Sequence, residues 1–225
     1  MKVIPITVLA SLLMMSCVAQ AGVIVGGTRL IYDGGKKESS LSVSNPDKGP
    51  YLIQTWVETT AGGAEKTPFV VTPPLFRLDG DQKNILRVVR AGGNLPSDKE
   101  SLYWMNIKSI PAASKSEVSN TLQIAVKTRI KLLYRPQGIK GTPEQVADKL
   151  TWRRSGNSLQ VTNPTPFYMN FFEVKVAGKA VSDVTHVAPM SSASFALPTG
   201  VSGGSLSWKI INDYGAVSKE QIASL

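Results

Sequence analysis

The stretch NTLQIAVKTRIKLLYRP, Asn120 to Pro136, decides the fold. From Leu122 the apolar side chains fall on alternate positions, Leu122, Ile124 and Val126, then Ile130 and Leu132, with Gln123, Lys127, Arg129 and Lys131 between them. That is strand periodicity. Strands in ordinary domains run about 5 to 6 residues, and one about twice that length, rich in Ile, Leu and Val, is an aggregation hazard if its edge is open. On pattern alone such a segment beside a domain boundary is an ordinary core strand, so its length is the feature that needs an explanation.

Upstream, short β-branched and aromatic runs recur between turn signals: Gly26 to Tyr32, Ser39 to Ser44, Tyr51 to Glu58, Phe69 to Thr72, Asn84 to Val89 and Ser101 to Ile107, with Thr121 to Tyr134 closing the series. The separators, such as Asp33-Gly34-Gly35, Asn45-Pro46-Asp47 and Gly92-Gly93-Asn94, tolerate tight turns or positive φ. About seven strands at this spacing predict an immunoglobulin-like sandwich, without the Cys, Trp, Cys signature of true immunoglobulin domains. Composition breaks at Arg135-Pro136-Gln137-Gly138-Ile139-Lys140-Gly141-Thr142-Pro143, a linker, and Pro143 to Leu150 is the one plausible helix after it. Strands resume at Leu150 to Arg153, Ser158 to Thr162, Tyr168 to Val176, Ala193 to Leu197 and Leu206 to Ile211. The expected fold class is all-β, two sandwiches, with domains over 22–140 and 141–225.

Residues 1–21 look like a secretory signal: Lys2, an apolar run from Val3 to Met15, then small residues at Val18-Ala19-Gln20-Ala21. The run is shorter than the ~20 residues of a spanning helix, and no later segment replaces it, so no membrane span is expected. Ser16-Cys17 as a lipid attachment point is the rival reading, with Met14-Met15 a poor match upstream. Removing the signal removes the only cysteine of the 225 residues. Stability after export must then come from packing rather than disulfides. The excess of Lys and Arg, 25 against 16 acidic residues and a formal charge of +9, suits a nucleic acid, an anionic surface or an acidic partner. Export disfavours nucleic acid, and solubility is the plainer account of the charge.

Residues for catalysis are scarce. The single histidine, His186, and the absence of cysteine after the signal remove most metal sites and the usual general base. His186 is expected at a loop or strand end. Gly200-Val201-Ser202-Gly203-Gly204 matches the letters of a nucleophile elbow, but no helix and no later histidine follow it. Asp79-Gly80-Asp81 lacks the remaining ligands of a calcium loop. Phosphate-cradling fingerprints are missing as well. No enzyme activity and no cofactor are expected.

Several blocks together carry a resemblance: Thr28 to Tyr32 (TRLIY), Tyr51 to Val57 (YLIQTWV), Thr72 to Phe76 (TPPLF), Leu95 to Asn106 (LPSDKESLYWMN), Lys131 to Pro136 (KLLYRP), Asn163 to Pro166 (NPTP) and Ile211 to Gly215 (INDYG). The chain resembles the periplasmic chaperones of chaperone-usher pili, the PapD-type family, most nearly its type 1 fimbrial, FimC-like members. The resemblance implies two immunoglobulin-like domains held at an angle, whose first domain lends its last strand to a pilin subunit that lacks one. Carried over by position, Asn120, Leu122, Ile124 and Val126 are donor side chains, and Arg29 and Lys131 bind the subunit's C-terminal carboxylate. Glu100, Arg135 and Asp213 match an interdomain charge network. The implied partners are pilin subunits, an outer-membrane usher, and a second copy through the donor edge; the implied location is the periplasm.

Two structural expectations accompany it. Lys131 has the opposite parity from Leu122, Ile124 and Val126, so a bulge or strong twist between Val126 and Lys131 is expected. Thr72-Pro73-Pro74 is where a cis bond would fall, since such bonds precede proline; the isomer is left open. The cysteine pair that some members carry near the C-terminus is absent, and the connection from Ile107 to Asn120 is short, like that of members serving rod-like pili. The alternatives are a secreted two-domain adhesin or pilus subunit, a carbohydrate- or matrix-binding sandwich, and a hydrolase using Ser202.

Overall fold

Side chains of a half-buried strand alternate between core and solvent, and the segment Tyr51–Glu58 does so with Ile53 and Thr55 inside and Leu52 and Gln54 outside. The computed structural model, which describes residues 22–62, 66–112 and 122–225, repeats this pattern through both halves of the chain. Before the linker the strands are β1 (Ile24–Val25), β2 (Arg29–Asp33), β3 (Glu38–Ser44), β4 (Tyr51–Glu58), β5 (Phe69–Thr72), β6 (Leu75–Leu78), β7 (Lys83–Arg90), β8 (Ser101–Pro111) and β9 (Val126–Arg135). They form two sheets, β1-β3-β7-β5 and β2-β9-β8-β4-β6. Tyr32, Ile53, Leu86, Met105 and Leu132 fill the space between them. Each such side chain leaving water contributes about 1.5 to 3 kcal/mol. Phe69 adds ring contacts at 5.1 Å to both Tyr32 and Tyr103.

β6 was not expected from the sequence, and the prolines explain both its presence and its concealment. Thr72–Pro73 is cis, and two consecutive residues without N–H groups end the β5 ladder. The chain then crosses to the other sheet, where β6 pairs with β4. The carbonyls of Pro73 and Pro74 are taken up by Thr55, through its hydroxyl at 2.9 Å and its N–H at 2.8 Å.

The second domain opens with a short helix, Pro143–Lys149, which is a 3₁₀ helix. Its N-terminus is held by the Thr142 N–H donating to Gln145 Oε1 at 3.0 Å, and a run this short favours the tighter i→i+3 pattern. The strands are β10 (Thr151–Ser155), β11 (Ser158–Asn163), β12 (Met169–Val176), β13 (Lys179–Ala180), β14 (His186–Val187), β15 (Ser191–Ala196), β16 (Ser205–Ile210) and β17 (Gln221–Ser224). One sheet runs β10-β11-β15 and the other β13-β12-β16-β17, with β14 beside β12. Leu159, Met169, Val176, Leu206 and Ile210 form the core, with Trp152 and Trp208 in ring contact at 5.5 Å.

Each domain ties a loop with a buried asparagine in an Asn-Pro pair. Asn45 donates to the carbonyls of Gly49, Leu78 and Asp79 and accepts the Asp47 N–H. Asn163 donates to Phe167 O and Ala188 O and accepts from Thr165. Loop carbonyls buried this way need such partners.

Where the domains meet, Leu102 and Leu133 are cross-strand partners, buried but part of neither core. They lie on the outer face of β8 and β9, the face on which Lys131 and Arg135 reach the second domain. Gly215, at φ +84°, lies so close to Thr28 that a Cβ there would collide with the threonine hydroxyl. Glycine suits both the left-handed backbone and the close approach.

Candidate functional site: the interdomain cleft and the open edge of β9

β2 and β9 are the first long strand and the last strand of the first domain, and they run parallel side by side. Their register sets Arg29 opposite Lys131 and Asp33 opposite Arg135. Two like charges are therefore neighbours, in a partly buried position at the mouth of the junction. Arg29 Nη1 donates to the carbonyl of Ile211 in the second domain at 3.2 Å, and its Nε has no partner. Lys131 Nζ donates to Asn170 Oδ1 on β12. Among the described residues neither cation has a carboxylate within ion-pair distance.

The electrostatics follow from that geometry. Burial, then the charge of Arg29, pushes the Lys131 ammonium down to about 8. Burial also lowers Arg29, partly offset by the more distant charge of Asp213. Desolvated cations favour whatever anion can reach them. A carboxylate entering here would receive charge-assisted hydrogen bonds from both.

Behind this pair lies a second group of charges. Arg135 Nε donates to Glu100 Oε1 at 2.8 Å, and its two terminal nitrogens grip Asp213 at 2.7 and 2.8 Å. The other Glu100 oxygen accepts the Tyr168 N–H at 2.7 Å. The Arg135 guanidinium also stands over the Phe167 ring at 5.1 Å. Burial opposes the charge of Arg135, but its hydrogen bonds to Asp213 and the charge of Glu100 more than offset it. Glu100 is fully enclosed, and burial pushes its carboxyl up despite Arg135 and the Tyr168 N–H. Glu100, Arg135 and Asp213 thus come together across the domain boundary.

The donor segment differs from the expectation in two ways. Pairing of β9 begins at Val126, so Leu122 and Ile124 lie ahead of the strand rather than within it; Asn120 lies outside the described residues. Nor is there a bulge between Val126 and Lys131, because β8 and β9 pair without interruption from Ser109↔Val126 to Ser101↔Tyr134. A continuous ladder has no spare residue to change parity. Lys131 therefore stands on the outer face with Lys127 and Arg129, while Val126 shares the parity of Ile130 and Leu132, which face the core.

Leu122, Ile124 and Val126 are 84%, 64% and 53% exposed. β2 pairs with β9 only from Lys131 onward, leaving one edge of residues 126–130 without a strand partner among the described residues. The outer face beside that edge carries a feature the sequence did not reveal. Lys127 lies over Trp56 at 5.0 Å and Arg129 over Trp104 at 4.4 Å. Glu58 accepts from Trp56 Nε1 at 2.7 Å and pairs with both cations. Trp56 and Trp104 sit in the expected strands, but only register puts them opposite these charges.

Asn170 and Ile211, which complete the cleft, were not assigned to it from the sequence, although Ile211 opens the block Ile211 to Gly215 that carries part of the resemblance. His186 begins β14 and stands opposite Asn170. Ser202 lies in the expected turn, its carbonyl accepting from Arg154 at 2.7 Å. Asp79 pairs with Arg77 at 2.5 Å.

Comparison with known proteins covers both domains. The family model described as pili and flagellar-assembly chaperone, PapD N-terminal domain, matches residues 22–140, and that of the pili assembly chaperone PapD C-terminal domain matches 145–222. Chaperone protein FocC of Escherichia coli is 44% identical over 218 residues, covering 95% of each chain. Chaperone protein FimC of E. coli K12 is 47% identical over 203 residues, covering 89% of this chain and 83% of the relative. The crystal structure of the E. coli chaperone DraB matches with a TM-score of 0.83 at 44% identity, over 91% of this chain and 96% of that one. The Salmonella enterica SafB chaperone, solved in complex with the SafA pilin, matches with a TM-score of 0.86 at 39% identity, over 92% and 97%. With both sandwiches matched in order along one chain, this protein belongs to the PapD family of pilus-assembly chaperones, periplasmic proteins that are not enzymes.

Proposed function

We propose that this chain captures pilin subunits in the periplasm, lends each the edge of β9 in place of a missing strand, and delivers it to an outer-membrane usher. One conjunction carries this reading: an exposed alternating apolar row, Leu122, Ile124 and Val126, leads into a strand edge that, among the described residues, is unpaired and runs toward two cations with no carboxylate in ion-pair range. That SafB was solved with a pilin supports the partner class. In this reading residues 1–21 are a signal removed on export, the domains span 22–140 and 141–225, and the donor edge of the free protein is covered by a second copy.

The energetics divide the labour. Three aliphatic side chains leaving water contribute roughly 5 to 9 kcal/mol, against an association cost of about 4 to 15 kcal/mol. Charge-assisted hydrogen bonds from Arg29 and Lys131 to a terminal carboxylate, about 1.5 to 3 kcal/mol each, and backbone pairing along 126–130 supply the rest. The anchor also sets register, because a slip of one residue would turn every donor side chain to the wrong face. Donor row and anchor can lie on opposite faces of β9, since pairing occurs in the plane between them. The charge network of Glu100, Arg135 and Asp213 holds the two domains so that Asn170 and Ile211 stay on the far wall of the cleft.

The test is capture. Arg29→Ala and Lys131→Ala should leave circular dichroism nearly unchanged and lose co-purification of a fimbrial subunit from periplasm. Wild-type recovery of subunit with both variants would refute the anchor.

A further inference from the structure

His186 is the single histidine of the chain, and nothing in the proposed capture mechanism uses it. β14 pairs with β12 so that His186 faces Asn170, the residue that receives Lys131. Its ring packs 5.8 Å from Tyr168. Its Nδ1 is buried without a hydrogen-bond partner, as is Nε of Arg29 on the other side of the cleft. Buried polar atoms are nearly always partnered, so one orphan on a cleft cation and another on the histidine opposite Asn170 point to a shared guest.

We infer that His186 is a third contact for the anion held by Arg29 and Lys131, donating from Nδ1 to the guest carboxylate and taking a proton from solvent as that carboxylate arrives. The inference rests on the reading of the cleft as a carboxylate anchor and adds to it a specificity residue and a pH dependence.

The surroundings of the ring support the direction of this coupling. From the first domain the charge of Lys131 reaches it, with Arg29 paired beside Lys131; from β12 and its approach come Tyr168, Glu173 and Lys175, the last two paired with each other at 2.8 Å. β11 and β15, which also pack against β14, carry no titratable residue. Glu100 and Asp213 are both engaged by Arg135. Burial, and then the charge of Lys131, hold His186 below its ordinary value in the free protein. A bound carboxylate offsets that charge and raises it. Binding therefore takes up a proton in the window between the free and bound values, and affinity rises as pH falls through it, about tenfold for each unit by which they differ.

Having one histidine makes the test direct. Untagged, isotopically labelled protein is titrated by NMR on the imidazole C–H signal in sodium chloride, in sodium acetate, and in acetamide with sodium chloride, all at equal ionic strength. Acetate should raise the His186 midpoint, acetamide should not, and Arg29→Ala should abolish the response. In parallel, below about pH 7, where Lys131 stays charged in both proteins, subunit capture by the wild type should strengthen toward acid while that of His186→Asn stays level. An identical midpoint in acetate and chloride, or an unchanged capture profile in His186→Asn, overturns the inference. If Arg29→Ala still loses subunit in that case, the anchor stands and only the histidine's part in it fails. If Arg29→Ala and Lys131→Ala both keep their subunit, the anchor itself is wrong.

Discussion

Lys131 holds a charge where the fold resists it, and replacing that charge should make the free protein more stable. Its ammonium is lowered from 10.5 to about 8, by burial and then by Arg29. At about 1.4 kcal/mol per pKa unit this corresponds to roughly 3 kcal/mol. The cleft is open on one side, so solvent screening reduces the figure to about 2 kcal/mol. Lys131→Gln removes the charge while keeping an N–H₂ donor for Asn170, so the variant should gain about 1 to 2 kcal/mol near neutral pH, allowing for a weakened hydrogen bond.

The sign of the pH dependence follows from linkage. Above about 8 the native protein releases the Lys131 proton while the unfolded chain keeps it, so the wild type gains stability as pH rises toward 10.5. The variant lacks that rise, and its advantage should shrink by more than half between about pH 7 and about pH 9.5. Urea unfolding followed by circular dichroism at several pH values, read as midpoint at constant slope, measures it. Subunit capture should be lost in the same variant. A Lys131→Gln protein less stable than wild type at neutral pH, or a gap that does not narrow with pH, would refute the reasoning.

Other outcomes follow from the same geometry. Leu122→Asp with Ile124→Asp should change stability by no more than about 0.5 kcal/mol, because both side chains are exposed, yet abolish subunit co-purification; retention of subunit would remove β9 as donor. Arg135→Ala leaves the enclosed Glu100 carboxylate without its cation, a change worth about 3 to 5 kcal/mol in buried pairs, and should alter the small-angle scattering curve as the domains lose their fixed orientation. An unchanged curve would assign the network no orienting role. Glu100 has a raised carboxyl, so the native state holds its proton longer than the unfolded chain and wild-type stability falls as pH rises through that window. Glu100→Gln should remove this fall, as seen in melting temperatures compared from about pH 4 upward.

Strand bounds were legible wherever alternation coincided with burial on one face. Tyr51–Glu58 and Phe69–Thr72 match the expected limits because turn residues flank both. Alternation failed as a guide at Leu122 and Ile124, where the pattern continues but β8 no longer offers a partner. Short strands such as β13, β14 and β17 carry too few residues for any period to show. The parity of Lys131 suggested a bulge because donor and anchor were assumed to share a face; the uninterrupted ladder puts them on opposite faces instead.

Sequence alone marks the longer strands of each sandwich, because hydrophobic burial acts on a two-residue period that one chain displays locally. It also supplies the residue types of the cleft, through blocks of likeness far apart in the chain. Only tertiary structure makes Arg29 and Lys131 neighbours, since a parallel pairing of β2 with β9 joins strands from opposite ends of a domain. It alone brings Asn170 and the Ile211 carbonyl against them from the second domain, with His186 paired across from Asn170. Charge proximity and desolvation act through space, and no local pattern records distance between segments that meet only after folding.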